Sequence, residues 1–158
     1  MTEPVSTERG ADVHFPPPLV FAGLVLLGVA LRYATGPVLH VPEWIKLAGI
    51  ALLLASLGAG FWARSHHVRT GQNPAPWKPA PELILQGPYR FTRNPMYVGL
   101  AGVQFGLGLA LGNPWIALLA PCALLIVHFM AVLPEEKYLA EKFGTDYLTY
   151  LSTVRRYL

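Results

Sequence analysis

Between Asn94 and Pro134 the chain carries no Asp, Glu, Lys or Arg. That run is about twice the roughly 20 apolar residues needed to cross a bilayer as a helix. In lipid a backbone must satisfy its own hydrogen bonds, so a run of this kind folds as helices. It is divided by Gly112-Asn113-Pro114, a turn signature. The spacing predicts helices over 95–111 and 115–133, closed into a tight hairpin.

Two further apolar segments, 17–33 and 44–63, precede the hairpin. Charged residues make up only 13% of the chain, against roughly 25% in a soluble domain. The predicted fold class is therefore all-α, an integral membrane bundle of about four transmembrane helices in one domain, 1–158. Within it, 1–64 reads as an N-terminal helix pair and 65–158 as a second half of loop, hairpin and tail. The start of the chain, 1–12, is polar and acidic and lacks the basic opening and cleavage site of a signal peptide, so the first segment reads as a retained span.

Lys and Arg positions orient the bundle. Arg64, Arg69, Lys78, Arg90 and Arg93 lie in the long loop, Lys137, Lys142, Arg155 and Arg156 in the tail, and Arg9 before the first span; only Arg32 and Lys46 fall on the other side. Both termini are expected in the cytosol, with the bundle in the cell (inner) membrane. The net charge of +3 is spread along these flanking loops rather than over one face, which does not fit a nucleic-acid partner. Cys122 is the single cysteine, and the five histidines lack metal-ligand spacing, so no disulfide framework or metal site is expected.

The segments outside the membrane are too elaborate for plain connectors. Prolines between Asn73 and Pro79 and at Pro88 hold the 65–94 loop extended and turned. In the tail, Pro134 stands at a first helical position with Glu135 and Glu136 in the first turn. Gly144 is expected to break that helix, and Tyr147, Leu148 and Leu151 to begin a second amphipathic piece lying on the interface or capping the bundle.

Three groups of residues are candidates for chemistry. The run from Gly87 to Gly99 places Tyr89, Arg90, Arg93 and Tyr97 beside a helix N-terminus at the membrane mouth. Its N–H groups suit an anion, although the same residues serve equally as interfacial anchors. Glu135-Glu136 supplies carboxylates for hydroxyl or ammonium groups, or a solvated helix start. Arg155-Arg156 supplies cations for a bound acid or for lipid headgroups. Along the third helix Gly99, Gly102, Gly106 and Ala110 share one face, which favours close helix packing. Gln104 and His128 read as interhelical hydrogen-bonding residues.

Taken together, Gly87-x-Tyr89-x-x-x-Arg93-Asn94-Pro95-x-Tyr97-x-Gly99, the hairpin, Glu135-Glu136-x-x-Leu139-x-x-x-Phe143-Gly144-x-x-Tyr147-x-x-Tyr150 and Val154-Arg155-Arg156 resemble the isoprenylcysteine carboxyl methyltransferase family, whose plan is shared by phospholipid methyltransferases. The resemblance covers about 70–158. It implies a methyltransferase using S-adenosyl-L-methionine on the cytosolic side, with a lipid-like or small-molecule methyl acceptor arriving from the membrane lipids. By motif position it assigns the cofactor to Gly87, Asn94, Pro95, Met96, Tyr97 and Glu135, and further along the third helix to Gly102, Leu107, Gly108, Leu109 and Ala110. Arg93, Glu136 and Arg156 are the implied catalytic set, with either arginine free to hold an acidic group of the acceptor. Two positions depart from the pattern: Asn94 stands where the family has His, and Ala131 where isoprenylcysteine enzymes have an arginine. A non-catalytic four-helix membrane protein is the competing reading.

Overall fold

The computed structural model describes residues 10–36 and 40–157; the acidic stretch 1–9, including Arg9, lies outside them. Six α-helices follow one another: α1 (Pro17–Thr35), α2 (Glu43–Arg69), α3 (Pro95–Ala110), α4 (Pro114–Val127), α5 (Leu133–Phe143) and α6 (Thr145–Thr153), with no strand among the described residues. Pro17–Thr35, Glu43–Arg69 and the continuous run Pro114–Phe143 are long and apolar enough to cross a membrane. The apolar α3 has 16 residues, about 24 Å of helix.

The small-residue face of α3 is used against α2. Gly49 of α2 lies on Gly106, Leu109 and Ala110, Ser56 on Gly102, and Gly60 on Gly99. A Cβ at Gly49, Gly102 or Gly106 would overlap the facing helix, so these positions permit an approach that larger residues would prevent. The other face of α3 meets α4 through the expected hairpin. Asn113 caps α4 by accepting from the Trp115 and Ile116 N–H groups at 3.1 and 3.4 Å. Its Nδ2 also donates to the Gly28 carbonyl at 3.2 Å, which fastens α1. Gln104 donates across the hairpin to the Ile116 carbonyl at 3.2 Å. Consequently α1 packs on α4 and α2 on α3. The first two helices are thus each packed mainly on the hairpin, and both border it at the start of α3.

Two boundaries differ from expectation, both for backbone reasons. The second span continues to Arg69, because the polar residues after Ala63 remain helical and carry His66 and His67 to the rim. The fourth span does not stop before Pro134. It passes through a π-helical turn, His128–Val132, and α5 begins at Leu133. The Leu133 N–H reaches back five residues to the His128 carbonyl, and this shift of the ladder accommodates the N–H that Pro134 lacks. Glu135 and Glu136 thus ride on an extension of the span rather than on a fresh interfacial helix. Gly144, at φ 52°, ends that extension and turns the chain into α6.

Candidate functional site

Everything at the polar end of the hairpin is built on the turn Gly87–Arg90. Gly87 has φ 60°, and a Cβ there would strike the His66 ring, so both backbone and space demand glycine. The turn buries Tyr89, with its hydroxyl 3.4 Å from His67 Nδ1 and its carbonyl accepting from Tyr150 Oη at 2.7 Å. Beyond it, the last residues of the chain lie across the start of α3. Arg93 N donates to the Arg155 carbonyl at 2.9 Å. The Arg156 carbonyl accepts from Thr92 Oγ1 at 3.1 Å and Asn94 Nδ2 at 3.0 Å. Asn94 therefore acts as a fixed donor in this chain. An amide fills that role as well as an imidazole N–H does, and no titrating base is used there.

One turn into α3, Tyr97 Oη donates to Glu135 Oε2 at 2.9 Å. The neighbouring Glu136 binds Arg156 in bidentate fashion, Nε at 3.0 Å and Nη2 at 2.8 Å, and meets Arg93 Nη1 at 3.3 Å. Both arginines expected to hold an acidic substrate group are thus engaged by Glu136. Their combined effect is to tie the C-terminal segment to α3 and α5. His128 Nδ1, 2.8 Å from Tyr157 Oη, fixes the next residue of the same segment.

The phenols around these pairs remain protonated at neutral pH. Burial pushes Tyr150 up to about 12, with Arg93 opposing the shift. Burial, then the Glu135 charge, raises Tyr89, and burial, then the Glu136 charge, raises Tyr147. Arg156 is raised by its hydrogen bond to Glu136.

Two cavities flank the Tyr97–Glu135 bond. The first, about 110 Å³, is the more polar of the two and lies under the long loop, with Gln72, Tyr89, Arg93, Glu135, Tyr138 and Tyr147 among its walls. The second, about 410 Å³, is apolar and lies between the start of α1, α2 and α3, with Leu57, Phe61, Trp77, Met96, Tyr97 and Leu100 among its walls. Residues 73–76 border both. This proline-rich segment is an ordered partition: Asn73 Oδ1 accepts from the Ala75 N–H at 3.0 Å, and the Pro76 and Trp77 carbonyls accept from the Ala11 and Gly10 N–H groups at 2.8 and 3.1 Å.

Of the residues assigned from the motifs, Gly87, Arg93, Asn94, Pro95, Met96, Tyr97, Glu135, Glu136 and Arg156 converge on this region. Gly102, Leu107, Gly108, Leu109 and Ala110 do not. Gly102 is pressed on Ser56, Gly108 on Ala117, and Leu109 and Ala110 on Gly49. Leu107 lies ten residues beyond Tyr97, about 15 Å along the axis. Gly102, Gly108, Leu109 and Ala110 pack helices, and none of the five lines either cavity. Gln72 and Tyr138 were not among the site residues read from sequence, and 73–76 entered only as part of the proline-rich loop.

An apolar helical bundle with a carboxylate, phenol and arginine cluster at one end of a hairpin defines an integral membrane protein with a rim site fed by one polar and one apolar cavity. The family model described as phospholipid methyltransferase matches residues 44–146, and the chain belongs to that family of membrane methyltransferases. The match takes in α2, which the motif resemblance left out, and ends before Tyr147, Tyr150 and the terminal arginines. No curated protein matches the sequence.

Proposed function

We propose that the protein transfers a methyl group from S-adenosyl-L-methionine to a lipid-like acceptor, with the cofactor on the polar side of the Tyr97–Glu135 bond and the acceptor on the apolar side. The observation that carries this reading is that bond itself, a single phenol–carboxylate contact standing between an apolar cavity and one lined in part by charged and phenolic side chains. When bound, the cofactor supplies a methyl group already activated by its sulfonium, so the protein must mainly align and desolvate. The residues present fit that group. Glu135 and the faces of Tyr89, Tyr138 and Tyr147 favour a cation. The buried Arg93 Nε, without a partner among the described residues, is a donor for a carboxylate. The polar cavity is smaller than the roughly 300 Å³ at which small-molecule pockets begin. A ligand of this size therefore requires the 72–84 loop to lift from α5, where Tyr138 Oη now accepts from the Ala80 N–H at 3.2 Å.

In this scheme Glu136, Arg93 and Arg156 are positioning residues that hold the C-terminal segment over the site. Ala131 is 1% exposed and cannot pair with an acid, which counts against a prenylcysteine carboxylate as acceptor. Methyl-labelled S-adenosyl-L-methionine, incubated with the purified protein and total membrane lipids or small thiols, is expected to label a lipid fraction. Labelling of neither fraction, together with no cofactor binding, overturns the proposal and leaves the non-catalytic reading.

The scheme also places both termini in the cytosol, with the bundle in the cell membrane, supported by the Lys and Arg imbalance. Reporter fusions after residue 158 and within Gly112–Pro114 are expected on opposite sides of the membrane; the same side for both rejects the topology.

A further inference from the structure

We infer that Gly60 and Arg64, one turn apart on α2, select the methyl acceptor: Gly60 leaves room for an apolar chain, and Arg64 holds the phosphate of a phospholipid. This rests on the reading of the apolar cleft as the acceptor side. Residues 56, 57, 60, 61 and 64 of α2 all line that cleft, the spacing of one helix face. Most glycines of the α2–α3 seam are pressed against a partner, but a Cβ on Gly60 would meet nothing within 4 Å. The space beside it is left to whatever the cleft holds. A glycine inside a helix is unfavourable relative to alanine; the Gly60 backbone lies against Gly99, but the side on which its Cβ would stand is open.

Among the described residues Arg64 is the sole charged side chain on the cleft, and it is exposed. Among the described residues its side chain forms no ion pair or hydrogen bond, whereas Arg93 and Arg156 are held by Glu136. A long side chain at a span's rim keeps its stem along apolar surface and its guanidinium at headgroup depth. There it offers a bidentate fork that suits phosphate.

Tyr97, whose hydroxyl is bound to Glu135, also borders the cleft. An acceptor whose reacting atom is itself an acid oxygen would bring negative charge toward that carboxylate, with Ala131 offering no cation. A phospholipid separates the two demands: its phosphate rests at Arg64, and a nucleophile beyond the phosphate reaches toward Tyr97 and Glu135.

The test measures lipid affinity without turnover, by native mass spectrometry of the full chain in detergent. The titrants are phosphatidylethanolamine, an uncharged diacylglycerol with the same chains, and a farnesylated cysteine. Wild type is expected to prefer phosphatidylethanolamine. Arg64→Gln is expected to weaken that lipid about tenfold, the loss of one charge-assisted contact, and to leave diacylglycerol unchanged, with Arg64→Lys intermediate. Gly60→Leu is expected to weaken both lipids at least tenfold, while Gly58→Leu, also open within 4 Å, weakens neither and serves as the folding control. Wild-type phosphatidylethanolamine affinity in Arg64→Gln or in Gly60→Leu, equal wild-type affinity for the two lipids, or an Arg64-dependent preference for farnesylated cysteine each overturns the inference. Lipid binding that depends on Arg64 in a protein that transfers no labelled methyl group overturns the proposed activity and leaves this assignment standing.

Discussion

Glu136→Ala is expected to be the most destabilising single substitution at the rim. The carboxylate is 13% exposed and faces Arg93, 11% exposed, and Arg156, 38% exposed. Its removal strands two cations, one of them almost fully out of water. Breaking a buried pair by deleting one partner costs about 3–5 kcal/mol, a large share of the roughly 5–15 kcal/mol that holds a typical domain together. The damage should spread along the C-terminal segment. Once Arg156 loses Glu136, the hydrogen bonds left among the described residues to keep the segment over α3 are those to its carbonyl and to that of Arg155, plus His128–Tyr157. Thermal unfolding in detergent should shift down by several degrees, and trypsin should cut after Arg155 or Arg156 faster than in wild type. A variant that melts and resists trypsin like wild type would show that the triad contributes nothing to the fold. Glu136→Gln, which keeps hydrogen bonds but not charge, should fall between the two.

The hairpin was legible in the sequence because its signals are local. A charge-free run can only be helical in lipid, and Gly112-Asn113-Pro114 marks its turn within three residues. The glycine face of α3 was legible too, but periodicity shows only that a face is small, not which neighbour covers it. That is why Gly102, Gly108, Leu109 and Ala110 were assigned to a cofactor when α2 and α4 press on them. The passage of the fourth span through Pro134 was hidden for a different reason. A π turn is a property of the hydrogen-bond ladder, and no residue type announces it. At the site, Arg93 to Tyr97 and Glu135-Glu136 were visible as a motif. Their pairing was not: Tyr97 and Glu135 are 38 positions apart, and Asn94 and Arg156 are 62 apart. The sequence thus supplied the charged groups but left open whether Arg93 and Arg156 faced a substrate or Glu136. The same limit applies to the polar cavity, whose outer wall is a loop held down by a tyrosine on α5.

The second large effect is expected at Glu135. Replacing it by alanine removes the carboxylate that favours a cationic ligand in the polar cavity. A hydrogen bond to a charged group is worth about 1.5–3 kcal/mol, so cofactor affinity should fall roughly tenfold to over a hundredfold. The obvious companion, Tyr97→Ala, is a poor probe. Tyr97 is 6% exposed and belongs to the core with Phe21, Ala123 and Val127, so truncation opens a cavity costing about 3–5 kcal/mol by analogy with Phe→Ala. Tyr97→Phe keeps the ring and removes only the hydroxyl. Glu135→Ala alone leaves that buried hydroxyl without its acceptor, a cost of about 1–3 kcal/mol, whereas the double variant removes both partners of the bond. The stability effects should therefore be non-additive, with the double variant more stable than Glu135→Ala while still failing to bind the cofactor. Calorimetric titration of S-adenosyl-L-methionine into wild type, both single variants and the double variant, with thermal unfolding in detergent as the fold control, separates the two effects. Wild-type affinity in Glu135→Ala would remove the cofactor from the polar cavity. Loss of binding that tracked melting temperature across the four proteins would reduce the Tyr97–Glu135 bond to a structural tie.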